Sequence, residues 1–177
     1  MTGRPFALEA GQRLTPDRHR GERTAGEPEA AVYLHPGQLF ASAAPCSITT
    51  VLGSCVSVCL FDAERGVGGA NHYLLPHAGT HTSDPLRFGA PAIEALLDRV
   101  VALGARRNKL AAKLFGGAHV LQAMSAERFH LGAANVDVAR AVLSAQRIPV
   151  HAEDVGGQRG RKLRFVTGDG TAWVREL

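Results

Sequence analysis

An apolar β-type run that ends in Gly53-Ser54-Cys55 constrains the fold of this chain more than any other stretch. Residues 49–52 are β-branched or aliphatic, and residues 56–62 return to the same apolar character directly after the cysteine. A glycine between two strands lets the chain turn tightly and leaves backbone N–H groups near the next side chain outside the sheet ladder. The stretch therefore predicts a strand, a bend and a second strand, with the cysteine at the bend.

Cys55 has two interpretations on this segment alone. A thiol beside the backbone N–H groups of Gly53 and Ser54 is suited to nucleophilic catalysis, since those donors would form an oxyanion hole. An isolated cysteine in an apolar strand is also commonly a small buried core residue. The segment by itself leaves both interpretations open.

A histidine in the next apolar run favours the catalytic interpretation. Residues 67–76 form a second β-type run after a short polar stretch, which is typical of a hairpin. A two-residue loop at 63–64 would place Cys55 directly opposite His72 on one face of the sheet. The imidazole could then take the thiol proton or stabilise the thiolate. A slip of one residue would send His72 to the other face.

The cysteine and histidine segments belong to a series of short motifs along the chain. In their order and spacing these motifs resemble the CheD family, the chemoreceptor glutamine deamidases of bacterial chemotaxis. The resemblance covers nearly everything from Tyr33 to the C-terminus. Co-ordered motifs at family spacing are more specific than any one motif alone. They lie at residues 52–56, 71–76, 113–118, 131–136, 154–157 and 160–162.

The resemblance implies a catalytic triad. The family's cysteine falls on Cys55, its histidine on His72 and its threonine, six residues before the cysteine, on Thr49. A hydroxyl in that third position would hold the histidine in the correct tautomer and orientation. Thr49 is otherwise a plain β-former, and Thr50 satisfies that description equally well. Only the family spacing favours Thr49.

Five further residues are predicted to bind substrate: Phe115, Gly116, Gly117, Asn135 and Arg161. The glycine pair could instead form a simple tight turn, and Asn135 is also a plausible N-cap for a helix through Gln146. Arg161 belongs to a basic run at 159–164 that could bind an acidic partner or phosphate, or form a solvated edge strand. Ala134 departs from the family, which usually has a basic residue there.

By resemblance, the chain is expected to hydrolyse glutamine side-chain amides of methyl-accepting chemotaxis proteins to glutamate. Ammonia would be released through a thioester, without a cofactor. Expected partners are these receptors and a CheC-type phosphatase, and the expected location is cytoplasmic. The alternative is a non-catalytic regulatory module that docks on receptors or on the phosphatase.

Composition excludes several other classes. The 177 residues, 45% hydrophobic and 20% charged, indicate one globular domain, and no apolar run approaches the length of a membrane span. Three cysteines without a C-x-x-C pattern fit a reducing compartment. A net charge of +4 does not by itself indicate nucleic-acid binding. His77 and His81 lack a third nearby metal ligand, so no metal site is predicted.

The chain divides into a leader, residues 1–30, and a CheD-like domain, residues 31–177. Balanced charges and few large apolar residues predict a disordered leader, with a docking arm as the alternative. The domain alternates many strands with two helices, at 91–103 and 135–146, which predicts an α+β fold with mixed sheets. The three-layered α/β/β sandwich follows only from the resemblance, which extends to deamidating toxins.

Overall fold

The computed structural model describes residues 4–6, 30–77, 83–119 and 131–177 of the chain. The helices in these residues are α1 (Gly89–Ala102) and α2 (Leu131–Ala145), with 3-10 turns at Pro85–Arg87 and Arg107–Lys109. The strands are β1 (Arg4–Phe6), β2 (Ala30–Tyr33), β3 (Gln38–Ser42), β4 (Cys46–Leu52), β5 (Val56–Asp62), β6 (Val67–His72), β7 (Ala111–Gly116), β8 (Val150–Val155), β9 (Arg161–Val166) and β10 (Ala172–Glu176).

The strands form two five-stranded mixed sheets. Sheet I has the order β3-β6-β5-β7-β8, and sheet II has the order β1-β10-β9-β4-β2. Parallel pairing is confined to β7 with β8 and β2 with β4. The other neighbours are antiparallel.

Sheet I lies between the helices and sheet II. One face of β5, with Val58 and Leu60, packs against helix residues that include Ile93 and Leu143. The other face, with Phe61, packs against sheet II. Every residue of β5 is buried, because both faces of the strand are covered. The layers therefore follow the order α/β/β, and the predicted α+β sandwich with mixed sheets is confirmed.

The β5–β6 turn differs from the prediction. Residues 63–66 form a four-residue turn that ends in a glycine with φ of 67°, and Asp62 pairs with Val67. The predicted two-residue loop is therefore wrong, and the register is shifted by two residues. Cys55 is not directly opposite His72. Because the shift is even, both side chains still belong to the same face of the sheet.

The second helix begins earlier than predicted. It starts at Leu131, so Asn135 lies inside the helix and is not its N-cap. Gly132, in the first turn, lies against the backbone of Gly117, where a Cβ atom would collide with a carbonyl oxygen. This close approach packs the first described turn of the helix against the loop that follows β7.

The structure describes only a small part of the predicted leader. Arg4–Phe6 pairs antiparallel with β10 at the edge of sheet II, a strand that the composition did not predict. Residues 1–3 and 7–29 lie outside the described residues, so the division into leader and domain stays a prediction. Within the described ranges, no helix is both long and apolar enough to span a membrane.

Candidate active site

The bend Gly53-Ser54-Cys55 carries the chain from sheet II to sheet I. It joins the end of β4 to the start of β5, so it lies at one end of the space between the sheets. The Cys55 side chain packs against the apolar cluster between the sheets but remains partly exposed. The predicted strand, bend and strand are confirmed, and the thiol lies at the bend.

The backbone of this bend is held by its carbonyl oxygens. All three accept hydrogen bonds of 2.8 to 2.9 Å: Gly53 from the Ala118 N–H, Ser54 from the Asn135 amide and Cys55 from the Gly117 N–H. In the described part of the chain, no backbone carbonyl accepts from the N–H of Ser54 or Cys55, and the Cys55 N–H contacts its own thiol. Donors held in this way, beside a thiol, have the arrangement that an oxyanion hole requires.

The glycine pair Gly116-Gly117, at the end of β7, packs against the bend. Both glycines are buried and have positive φ angles of 107° and 68°. A Cβ atom on Gly116 would collide with the carbonyl oxygen of Cys55. Gly116 therefore allows the chain's own bend to come close, whereas Gly117 allows the close approach of Gly132 in α2.

Asn135 connects the bend to the strand that carries the histidine. Its side chain is fully buried, and its Nδ2 donates to the carbonyls of Ser54 and Leu74, each at 2.9 Å. Its own backbone carbonyl accepts a 2.6 Å hydrogen bond from the Tyr73 hydroxyl. One amide thus fixes the bend relative to the end of β6.

His72 is held by a short chain of hydrogen bonds. The side chain is 2% exposed, and its Nδ1 lies 2.8 Å from Oγ1 of Thr50. The Thr50 hydroxyl donates to the Leu34 carbonyl at 2.9 Å. Because that hydroxyl has one proton, it must accept from Nδ1–H, which fixes the tautomer. Nε2 is then unprotonated, and no residue in the described ranges hydrogen-bonds to it.

Burial favours the neutral forms of both His72 and Cys55. It lowers the pKa of His72 from 6.5 to about 4, because the charged imidazolium is poorly solvated there. Burial also raises the pKa of the Cys55 thiol, partly offset by a hydrogen bond from its own backbone N–H. At neutral pH these shifts favour a neutral thiol and a neutral imidazole, not a preformed ion pair.

Thr49 is not brought to the histidine. Alternate residues of β4, namely Ile48, Thr50 and Leu52, are buried toward the space between the sheets, whereas Thr49 belongs to the outer face of sheet II. The predicted contact between Thr49 and His72 is wrong, and Thr50 makes it instead. The bend breaks the side-chain alternation between β4 and Cys55, so parity counted through it fails.

The other predicted substrate-binding residues are buried as well. Phe115 is 1% exposed and belongs to the apolar cluster between the sheets. Arg161 is 5% exposed, and its guanidinium binds the Asp154 carboxylate and the carbonyl of Gly156. These contacts account for both side chains structurally. A role of any of the five in substrate binding stays a prediction.

Sequence reasoning missed three contributors to the site. Thr50 could have been found from the buried alternation of β4, since apolar residues flank it at positions 48 and 52. The carbonyls of Leu34 and Leu74 carry no sequence signal, because any residue supplies that atom. Within the described residues, no group of three or more His, Cys, Asp or Glu side chains could hold a metal ion. His81 lies outside them.

Comparisons with known proteins identify the family of this chain. The sequence profile of the family "CheD chemotactic sensory transduction" matches residues 74–176. A relative from Anaeromyxobacter dehalogenans, named "Probable chemoreceptor glutamine deamidase CheD 1", is 52% identical over 158 residues, covering 89% of this chain and 91% of that protein. This chain therefore belongs to the CheD family.

Further relatives share the name "Probable chemoreceptor glutamine deamidase CheD". The protein of Trichlorobacter lovleyi is 43% identical, covering 82% of this chain and 89% of its own length. That of Sulfurimonas denitrificans is 39% identical, covering 81% and 92%. Among solved structures, Neisseria meningitidis protein NMB0706 aligns with a TM-score of 0.40 and 10% identity, covering 82% of this chain and 73% of that one.

Proposed function

We propose that this chain is a chemoreceptor glutamine deamidase that converts receptor glutamine side chains to glutamate and releases ammonia. Cys55 is the nucleophile, His72 the general base and acid, and Thr50 the residue that orients the histidine. The names of the relatives support the substrate class.

The observation that carries the proposal is the state of the histidine. Its Nδ1 is fixed by Thr50 while its Nε2 is a buried lone pair without a hydrogen-bond donor among the described residues. Cys55, at the bend, belongs to the same face of sheet I. A thiol on the same face as a base that is held in one tautomer is the arrangement from which a cysteine nucleophile can be activated.

In the first half-reaction, Nε2 of His72 takes the thiol proton as the Cys55 sulfur attacks the carboxamide carbon. A carbon–sulfur bond forms, and the N–H groups of Ser54 and Cys55 stabilise the resulting oxyanion. The imidazolium then gives its proton to the nitrogen, the carbon–nitrogen bond breaks and ammonia leaves. The product is a glutamyl thioester on the enzyme.

In the second half-reaction, Nε2 takes a proton from water, and the hydroxide attacks the thioester carbon. The carbon–sulfur bond breaks, the thiolate recovers its proton from His72, and glutamate is released. The Thr50 hydroxyl accepts from Nδ1–H throughout, so it stabilises the imidazolium that forms twice in each cycle. Each step uses groups of the chain itself.

Two other parts of the proposal rest on the family resemblance. A cytoplasmic location would keep the three free thiols reduced. A CheC-type phosphatase is the proposed second partner, and the non-catalytic regulatory module is the competing hypothesis.

The test compares wild type with Cys55→Ala on a receptor cytoplasmic fragment, with Cys59→Ala as the matched cysteine control. Intact mass reports each replacement of an amide by an acid, and fragmentation locates it. We expect conversion and ammonia release with wild type and Cys59→Ala, and neither with Cys55→Ala. Binding without conversion by wild type would favour the regulatory module. Equal conversion by all three would make Cys55 structural.

A further inference from the structure

The basic run at 159–164 is divided between two faces of β9. Arg161, Leu163 and Phe165 are buried, whereas the alternate residues Lys162 and Arg164 are only partly buried. In sheet II these outward residues stand beside outward residues of β4 and β10. We call the following set the cationic face: Val51, Lys162, Arg164, Trp173 and Arg175.

Cross-strand pairing brings two positive charges together on this face. Lys162 is the direct partner of Arg175 on one side and of Val51 on the other. Like charges directly opposite each other destabilise an antiparallel pair. Neither cation has an ion-pair partner among the described residues. The sheet therefore carries a repulsion that an anionic partner would relieve.

In the neighbouring row of the cationic face, an arginine guanidinium packs over a tryptophan ring. Arg164 is the cross-strand partner of Trp173, and its guanidinium lies 5.0 Å from the centre of the indole ring. Its Nε also donates to Oγ of Ser47 at 2.8 Å. Tryptophan and arginine are the side chains that most often dominate protein interfaces. Val51, at 40% exposed, adds apolar surface beside them.

One end of the cationic face lies at the end of sheet II from which the bend leaves, on the outer side of that sheet. Val51 is two residues before Gly53, where the bend to Cys55 begins. The row of Val51, Lys162 and Arg175 is thus the row of this face nearest to the nucleophile. The two helices pack on sheet I, so no described helix covers the cationic face.

We propose that the cationic face docks an acidic stretch of the protein substrate, next to the glutamine that Cys55 attacks. This inference rests on the proposed function. The positive charges of the face attract the acidic stretch, and the Arg164–Trp173 pair adds contact area. A face of arginines and an aromatic ring also fits single-stranded nucleic acid. The short separation along β4 between Val51 and the bend favours a substrate protein, since a partner bound there lies at the edge of sheet II that leads into the bend.

The test reverses the two opposed charges in Lys162→Glu/Arg175→Glu. The matched control is Arg65→Glu/Arg99→Glu, which changes the net charge equally at exposed positions of the β5–β6 turn and of α1. We expect the reversal to raise KM for a receptor fragment about tenfold with little change in kcat. We also expect it to remove most of the salt dependence of binding, and the control to do neither.

Binding is measured separately in the Cys55→Ala background, where no turnover is needed. Weaker binding by the reversed variant supports the docking proposal even if wild type shows no conversion, which would contradict only the proposed function. Lys162→Gln/Arg175→Gln repeats the test if the reversed variant does not fold.

Three results would overturn the docking proposal. The first is unchanged KM and binding in both variants of the face, and the second is equal loss in the control. The third is a loss of self-association or of binding to a single-stranded oligonucleotide while receptor binding stays intact.

Discussion

Cys55 lies just before β5 and Cys59 lies within it, four residues further along. Both belong to the same face of sheet I, yet their surroundings differ. Cys55 is partly exposed at the bend, where no described backbone carbonyl accepts from the N–H groups of Ser54 and Cys55. Cys59 is completely buried, which raises the pKa of its thiol to about 12. The difference in reactivity that we propose comes from the backbone around each sulfur and not from the strand that carries them.

Both thiols have a basic side chain nearby. Lys113 is the cross-strand partner of Cys59, and its Nζ lies 5.6 Å from the centre of the Phe61 ring. Burial lowers the pKa of Lys113. A thiol near a buried base is therefore present twice in this fold. Only the Cys55 end adds free N–H donors and an opening, and catalysis needs both.

The largest effect that sharpens this comparison is expected from His72→Gln. Loss of the general base should lower kcat by about 10²- to 10⁴-fold. The matched change at the other end, Lys113→Gln, should leave the specific activity of the folded protein within a few-fold of wild type. Ammonia release measures both variants. Equal losses in the two would show that the two ends are not functionally distinct.

His72→Gln should also change how the free energy of unfolding depends on pH. The pKa of His72 is about 4 when folded and about 6.5 when unfolded, so the unfolded chain binds the proton first as pH falls. The stability that the neutral His72 side chain contributes is fully present above pH 6.5 and is lost as pH falls to about 4. The total loss in the free energy of unfolding is on the order of 3 kcal/mol. Denaturant unfolding should show this loss in wild type and not in His72→Gln.

Asn135→Ala should have the next largest effect. It leaves the carbonyls of Ser54 and Leu74 without their donor, which should cost about 1–3 kcal/mol of stability. A loosened bend should also lower kcat by about 10- to 100-fold, because small misplacements of a nucleophile are costly. Conversion assays at a temperature where the variant is folded separate the two effects. Destabilisation with unchanged kcat would contradict this positioning role.

Thr50→Val should have a smaller effect than Asn135→Ala. It keeps the shape of the side chain but removes the hydrogen bonds to His72 and Leu34, so kcat should fall about tenfold. Thr49→Val, on the outer face, should change stability by less than about 0.5 kcal/mol and leave kcat unchanged. The reverse order of effects would restore the family-spacing assignment of the third residue.

Local patterns predicted the strands and the bend well. The bend at Gly53-Ser54-Cys55 lies between β4 and β5 as predicted, because a glycine ends one apolar run and a second apolar run follows the cysteine. The register of β5 and β6 was missed, since the turn that connects them is two residues longer than expected. Apolar periodicity reports which face a residue belongs to and does not report the length of a polar turn.

Long-range contacts account for the rest of what the sequence did not reveal. The Asn135 amide meets the Ser54 carbonyl across 81 residues of sequence, and no local pattern encodes such a contact. The sequence predicted Asn135 as a substrate-binding residue or a helix N-cap, and neither prediction indicated this contact with the bend. Similarly, the choice between Thr49 and Thr50 depends on which face of β4 meets His72. That is settled only when the two sheets are packed together.

The most direct measurement is the rate at which iodoacetamide alkylates each cysteine of the folded protein, read by peptide mapping. We predict that Cys55 reacts first in wild type, more slowly in His72→Gln, and that Cys46 and Cys59 react only on unfolding. Labelling of Cys59 as fast as Cys55, or a Cys55 rate that His72→Gln leaves unchanged, would contradict the claim that this bend and this histidine activate one thiol.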